Sequence, residues 1–275
     1  MPFPPTLTAF TNAAPCPRVE VRFNTLAATT ATVTVFRIVE GREFRVRSAV
    51  NAAAAGTFTR LDFECPFGVP ATYRAEMFTA AGVSLGFTDS VSVTLNVVDA
   101  WMHNPLNPAA ALLVDLDYNS ARSIARPTPG DILYPEGRSV GVVITKQRRG
   151  IVGVDLMVTT DTAAEAAAVD DMLGGYDTRV VPVLCLRTPP FIRLPRTFFA
   201  VILEPVQRPI NIHAGGQLTE WDLPATEVSP PAPSLIIPLL TRDDISAFFA
   251  TRTAVNVAHL TRDAVSRRYD LAGTT

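Results

Sequence analysis

From residue 18 to about 97, apolar and polar residues alternate in short runs broken by turn residues, the pattern of antiparallel strands that each bury one face. RVEVRFN places Val19, Val21 and Phe23 on one side, TATVTVFRI does the same with Val33 and Val35, and GREFRVRSA sets Phe44 and Val46 inward against Arg42, Arg45 and Arg47. TFTRLDFE (57–64), TYRAEMFT (72–79), VSLGF (83–87) and VSVTL (91–95) continue the series. About seven strands in so short a stretch predict one β-sandwich over 18–98, preceded by an N-terminal arm at 1–17.

NVVDAWMHNPLNP, with its prolines and asparagines, reads as a boundary, and a second organisation follows over 99–226. AALLVDLD (110–117) predicts a strand and the Arg-, Ser- and Pro-rich stretch after it a loop. SVGVVITK and IVGVDLMV predict a hairpin turning at QRRG (147–150). TTDTAAEAAAVDDMLGGYD predicts a helix over 162–174, with Thr162 and Glu165 as a capping box and Gly174 and Gly175 at its end. TRVVPVLCLRTPP, RTFFAVILEPV and QLTEWDLPATEV, the last carrying Trp221, add three strands, so this part predicts a β-barrel with one packed helix.

A Pro-rich strap (227–239) leads to a tail (240–275) in which Thr-Arg returns at 241, 251 and 261. A ten-residue step turns about 80° round a helix, so one continuous helix would scatter the pairs. Thr as a repeated N-cap, followed by Asp243, Asp244 and Asp263, predicts a train of short helices instead. Ile245, Phe248, Phe249, Val255, Val257, Leu260 and Val265 are too few for an independent core. The train therefore reads as an attachment device, the other option being a frayed helical tail with a chance repeat.

Composition narrows function by exclusion. A net charge of −2, pI 5.9 and no basic stripe with interleaved aromatics argue against nucleic-acid recognition. No apolar run reaches about 18 residues, so no membrane span is expected, and the N-terminus shows no basic region followed by an apolar stretch. Cys16, Cys65 and Cys185 lie far apart and predict buried free thiols, not a disulfide framework or a zinc site.

No constellation of catalytic, cofactor or metal residues emerges. DLDYNS sets Asp115, Asp117 and Asn119 like the start of a calcium loop, but Ser120 and Arg126 occupy the places that need Gly and Glu, leaving acids on an edge strand. His103, His213 and His259 read as loop, loop and helix surface, and Glu64, Glu76, Glu204 and Glu220 as solvent-side strand residues. Contact candidates stand out more clearly. Lys146, Arg148 and Arg149 would form a basic hairpin tip, and Phe191, Ile192, Arg193 and Leu194, with Arg196, an exposed apolar loop at 189–197. Phe248, Phe249, Arg252 and Arg262 are the tail's contact candidates.

Two resemblances add expectations. LDFECPFGVPATYRAEMFTAAGVSLG resembles the second half of a fibronectin type III or Ig-like domain, with Leu61, Pro70, Thr72, Tyr73, Ala75 and Gly82 in matching places. It implies that Tyr73 is a tyrosine-corner residue whose hydroxyl is tied to backbone upstream. RSVGVVITKQRRGIVGVDLMVTTDTAAEAAAVDDML, VVPVLCLRTPP, LTEWDLPATEVSPPAP and the closing repeats resemble the minor tail and distal tail proteins of long-tailed bacteriophages of actinobacteria. This resemblance implies a non-enzymatic virion protein, made in the host cytoplasm and built into the tail tip or baseplate without a cofactor. Its partners would be itself, in a cyclic ring, and the tail tube, tail hub and fibres. The alternative is a host-envelope carbohydrate-binding module, with a cell-envelope glycan as partner and Trp101 and Trp221 as its only tryptophans.

Overall fold

Val19, Val21, Phe23, Val33 and Val35 are all fully buried, as their alternation requires, and the strands that carry them face one another across a shared core. The computed structural model describes residues 3–174, 182–190, 192–210, 212, 215, 217–234, 242–259 and 265. The fold is mainly β, 44% strand against 11% helix. The first unit contains β1 (Thr6–Phe10), β2 (Arg18–Phe23), β3 (Thr32–Val39), β4 (Arg42–Arg45), β5 (Ala52–Ala53), β6 (Phe58–Asp62), β7 (Pro70–Phe78), β8 (Ser84–Phe87) and β9 (Val91–Thr94).

One sheet has the order β1-β2-β6 and the other β4-β3-β7-β8, with β5 on β3 and β9 on β7. Residues 6–10, expected to belong to a separate arm, add an edge strand by pairing antiparallel with β2. Phe44 is half-exposed instead of inward: β4 is too short to carry the alternation, and its ring lies under the Arg37 guanidinium, 5.5 Å from the centroid, while Val46 and Arg47 are buried. Tyr73 fills the core as expected, but its hydroxyl donates to the Asp62 carboxylate at 2.8 Å, a side chain and not a backbone carbonyl.

The stretch read as a boundary is the first hairpin of a second unit, β10 (Ala100–Asn104) with β11 (Asn107–Leu116). Pro105 and the asparagines serve its tight turn, with Asn104 Oδ1 accepting from the Leu106 N–H at 2.9 Å. There follow β12 (Gly130–Leu133), β13 (Val142–Thr145), β14 (Val154–Thr160), α1 (Ala163–Leu173), β15 (Val183–Arg187), β16 (Thr197–Ile202), β17 (Val206–Pro209), β18 (Thr219–Glu227), α2 (Arg242–Phe248) and α3 (Arg252–Ala258). The order β14-β11-β10-β15-β16-β18 closes through β14 and β18 into a six-stranded barrel, with β17 on the flank of β18. Closure pairs β11 on both sides, so its Asp115 does not lie on an edge strand.

Alternation along the barrel strands fills its interior: Leu156 and Val158, Phe198 and Ala200, Trp221 and Leu223. α1 is the expected helix. The Thr162 hydroxyl accepts from the Glu165 N–H while the Glu165 carboxylate reaches back to the N-cap, and Gly174 ends the helix at φ 97°. Ala166, Val169 and Met172, at helical spacing, are buried against β11, β14 and β15. Gly175 lies outside the described residues.

The expected hairpin at QRRG does not form. β13 pairs with β12, not β14, and the short strand GDIL was hidden in the Pro-rich stretch. Pro127 and Pro129 lack N–H groups but offer carbonyls, which accept from Arg149 N–H and Lys146 N–H, so the ribbon runs on to a bridge between Ala125 and Val152.

Candidate functional site

Two features gather side chains that the sequence presents as separate. The first joins the two units. Leu61 and Phe63 of the sandwich pack with Cys16 against Trp101 and Ala111 of the barrel. Around this contact lies a cluster of buried charges. Arg37 donates to both Asp62 oxygens at 2.7 Å, and Arg47 donates to Glu64 at 2.6 Å. Arg187, fully buried, donates to the Pro17 carbonyl at 2.7 Å and stacks on Phe67, 4.6 Å from its centroid. The Thr197 hydroxyl donates to the Glu64 carbonyl at 3.0 Å. The Pro-rich strap is fixed to the same place, for Arg47 donates to the Pro231 and Ala232 carbonyls and the Ser48 N–H to Pro233.

Glu64 is therefore buried and not a solvent-side residue: it follows β6, and the side that would meet water in an isolated sandwich meets the barrel at Thr197. Burial holds its carboxyl above the usual range, against the opposing pull of Arg47 and Arg37. His103 is likewise buried in β10 and not in a loop, and burial, reinforced by Arg187 and Arg47, keeps the imidazole neutral, well below its ordinary pKa. All three cysteines are buried and free. Burial pushes the Cys65 thiol up to about 11, which leaves it unreactive as a nucleophile. Asp62 and Glu64 are neutralised by arginines inside a closed junction, an arrangement that welds two units and offers no open acid and base.

The second feature is an arm. Residues 125–152 leave the barrel as a two-stranded ribbon, and every residue of β12 and β13 is exposed. Its apolar side chains are consecutive, so both faces are apolar: Ile132 (57%), Leu133, Tyr134, Val140 (75%), Val142, Val143 and Ile144 (57%) are all solvent-accessible. Glycines permit the close approach of the two strands. A Cβ on Gly130 would lie 2.6 Å from the Ile144 carbonyl oxygen, and one on Gly141 would collide with the Ile132 side chain. Lys146, Arg148 and Arg149 sit at the root of this arm and not at a hairpin tip, which lies near Gly137. All three are exposed, and Arg148 donates to the Arg126 carbonyl at 3.1 Å.

The loop at 189–197 is not the exposed patch expected. Leu194 is buried and Ile192 packs on the barrel core, leaving Arg193 outside, while Phe191 lies outside the described residues. Beside α1 a groove of about 430 Å³ is lined by Val98, Ala100, Leu113, Asp115, Asp161 and Ile192 among others. In the tail, the Thr251 hydroxyl caps α3 by accepting from the Ala254 N–H, as the repeat predicts, and α3 buries none of its residues. Phe248 is exposed and meets Phe249 edge-on at 4.9 Å, Phe249 meets His259 at 5.8 Å, and Arg252 is exposed. Thr241, Thr261, Arg262 and His213 lie outside the described residues, as do the side chains of Asp243 and Asp244.

Comparison with family models, with curated proteins and with solved structures gives no match to the chain. Among the described residues, no group of His, Cys, Asp and Glu is placed to hold a metal ion, and no helix is long and apolar enough to cross a membrane.

Proposed function

We propose that this protein is a structural component of a bacteriophage tail, a distal or minor tail protein that assembles into a ring at the tail tip or baseplate and joins the tail tube to tip proteins or fibres. The observation that carries the reading is the exposed arm. Seven large apolar side chains on an ordered ribbon would contribute on the order of 10 kcal/mol if buried, before the cost of association, which suits a chain that finishes folding its surface against a neighbour. The strand orders β1-β2-β6 and β4-β3-β7-β8 support the fibronectin type III resemblance of the first unit, and the closed barrel with one helix supports a ring-forming second unit. The exposed helices of the tail, with Phe248 and Arg252, supply a second attachment point. In this reading the protein is not an enzyme and acts in the virion, after synthesis in the host cytoplasm.

No tryptophan platform favours the glycan-binding alternative, since Trp221 fills the barrel interior and Trp101 packs at the junction. Immunogold labelling of particles from the source lysate tests the proposal: antibody against the chain should decorate one end of the tails, and labelling of soluble material alone would refute it.

A further inference from the structure

The arm and the groove beside α1 lie at opposite ends of one strand. β14 starts two residues after the arm's root at Val152 and ends at Thr160, beside Asp161 in the groove wall. Eight residues of strand separate them by about 26 Å. Two separate patches of this kind pair either reciprocally across a two-fold axis or head to tail. The head-to-tail pairing leaves one arm and one groove free, so it closes into a ring or propagates as a filament.

We propose that the arm of one copy of this chain seats in the groove beside α1 of the next copy. The inference rests on the ring-assembly reading and gives it a contact. The chemistry of the two surfaces is complementary in sign and in order. The arm's apolar residues lie between Arg138 near the turn and Lys146, Arg148 and Arg149 at the root, and over 126–149 five basic side chains stand against two acidic ones, Asp131 and Glu136. The groove has an apolar floor, with Val98 and Leu113 exposed, between the exposed acids Asp99, Asp115 and Asp161. Glu165 is also in the wall, but its carboxylate is already engaged by the Asp161 and Thr162 N–H groups of the capping box. Apolar contact supplies the affinity, and the flanking charges set the register.

Complementation by two full-length variants tests this. Leu133→Asp with Val143→Asp places one charge on each face of the arm without making a cross-strand pair, and Leu113→Arg blocks the groove. All three positions are exposed, so circular dichroism and melting should match the wild type. By light scattering the wild type should assemble, each variant alone should be monomeric, and a mixture of the two should give a 1:1 dimer, since one intact arm meets one intact groove. Should either variant unfold, Lys146→Glu with Arg148→Glu is measured alone, with an expected loss of at least tenfold in assembly affinity. Variants that assemble like the wild type, or a mixture that stays monomeric, would overturn the arm-in-groove contact and leave the ring reading standing. A wild type that never assembles would overturn both.

Discussion

His103 sits fully buried with neither ring nitrogen hydrogen-bonded among the described residues, beside Arg187 and paired across the strands with Cys185. The unfolded chain binds a proton there near pH 6.5 and the folded chain does not, so stability must fall as pH drops below about 6.5, by about 1.4 kcal/mol per unit for this one group. Glu64 acts in the opposite sense: its raised pKa gives a contribution that is present at low pH and lost as pH rises. Comparing the wild type with His103→Leu cancels the Glu64 contribution. Urea denaturation at pH 7.5 and 5.5 should show the wild type losing more than about 1 kcal/mol relative to the variant, and equal losses would remove His103 as the cause. Arg47 carries a larger effect. Arg47→Ala would leave the buried Glu64 carboxylate unpaired and release the strap, at a cost of about 3–5 kcal/mol in the same measurement. Neither residue was legible locally. Alternation along β10 says which face His103 takes, and Arg47 lies just beyond β4, but neither position reveals that the outer face of the sandwich is covered by a barrel formed from residues far along the chain.

At the scale of elements, the helix and the strands read most clearly, because each has a local cause. The capping box of α1 lies within four residues, and period two puts Val19, Val21 and Phe23 on one face of β2. Thr162→Ala should lower stability by about 1 kcal/mol, measured by thermal melting, and a change within error would mean that barrel contacts alone hold α1 in place. Strand partners were less legible. SVGVVITK looks ready to pair with the next apolar run, yet Pro127 and Pro129 supply carbonyls that draw it back onto the preceding segment, and a pattern of apolar residues does not encode that choice. The same mispairing displaced the basic cluster from tip to root and hid the apolar arm. The loop at 189–197 was misplaced for a similar reason, since the composition of a loop does not reveal that Leu194 turns back into the barrel.

Over the whole molecule, the two units behave as one stem. Arg187 reaches from the barrel to Pro17 of the sandwich, and Arg47 reaches from the sandwich to the strap that leaves the barrel. A chain ending at residue 234 keeps these bonds, so it should melt at the temperature of the full chain while losing whatever attachment α2 and α3 provide. A drop of more than a few degrees would make the tail part of the folded unit. What the stem presents outward is the arm, and the central claim is that other copies of the chain cover it. The direct test is the mass of the purified protein in solution by light scattering, followed by negative-stain imaging of the species found. Closed rings of uniform size are the predicted result; a strict monomer over the whole concentration range, with the arm still exposed, would contradict the account.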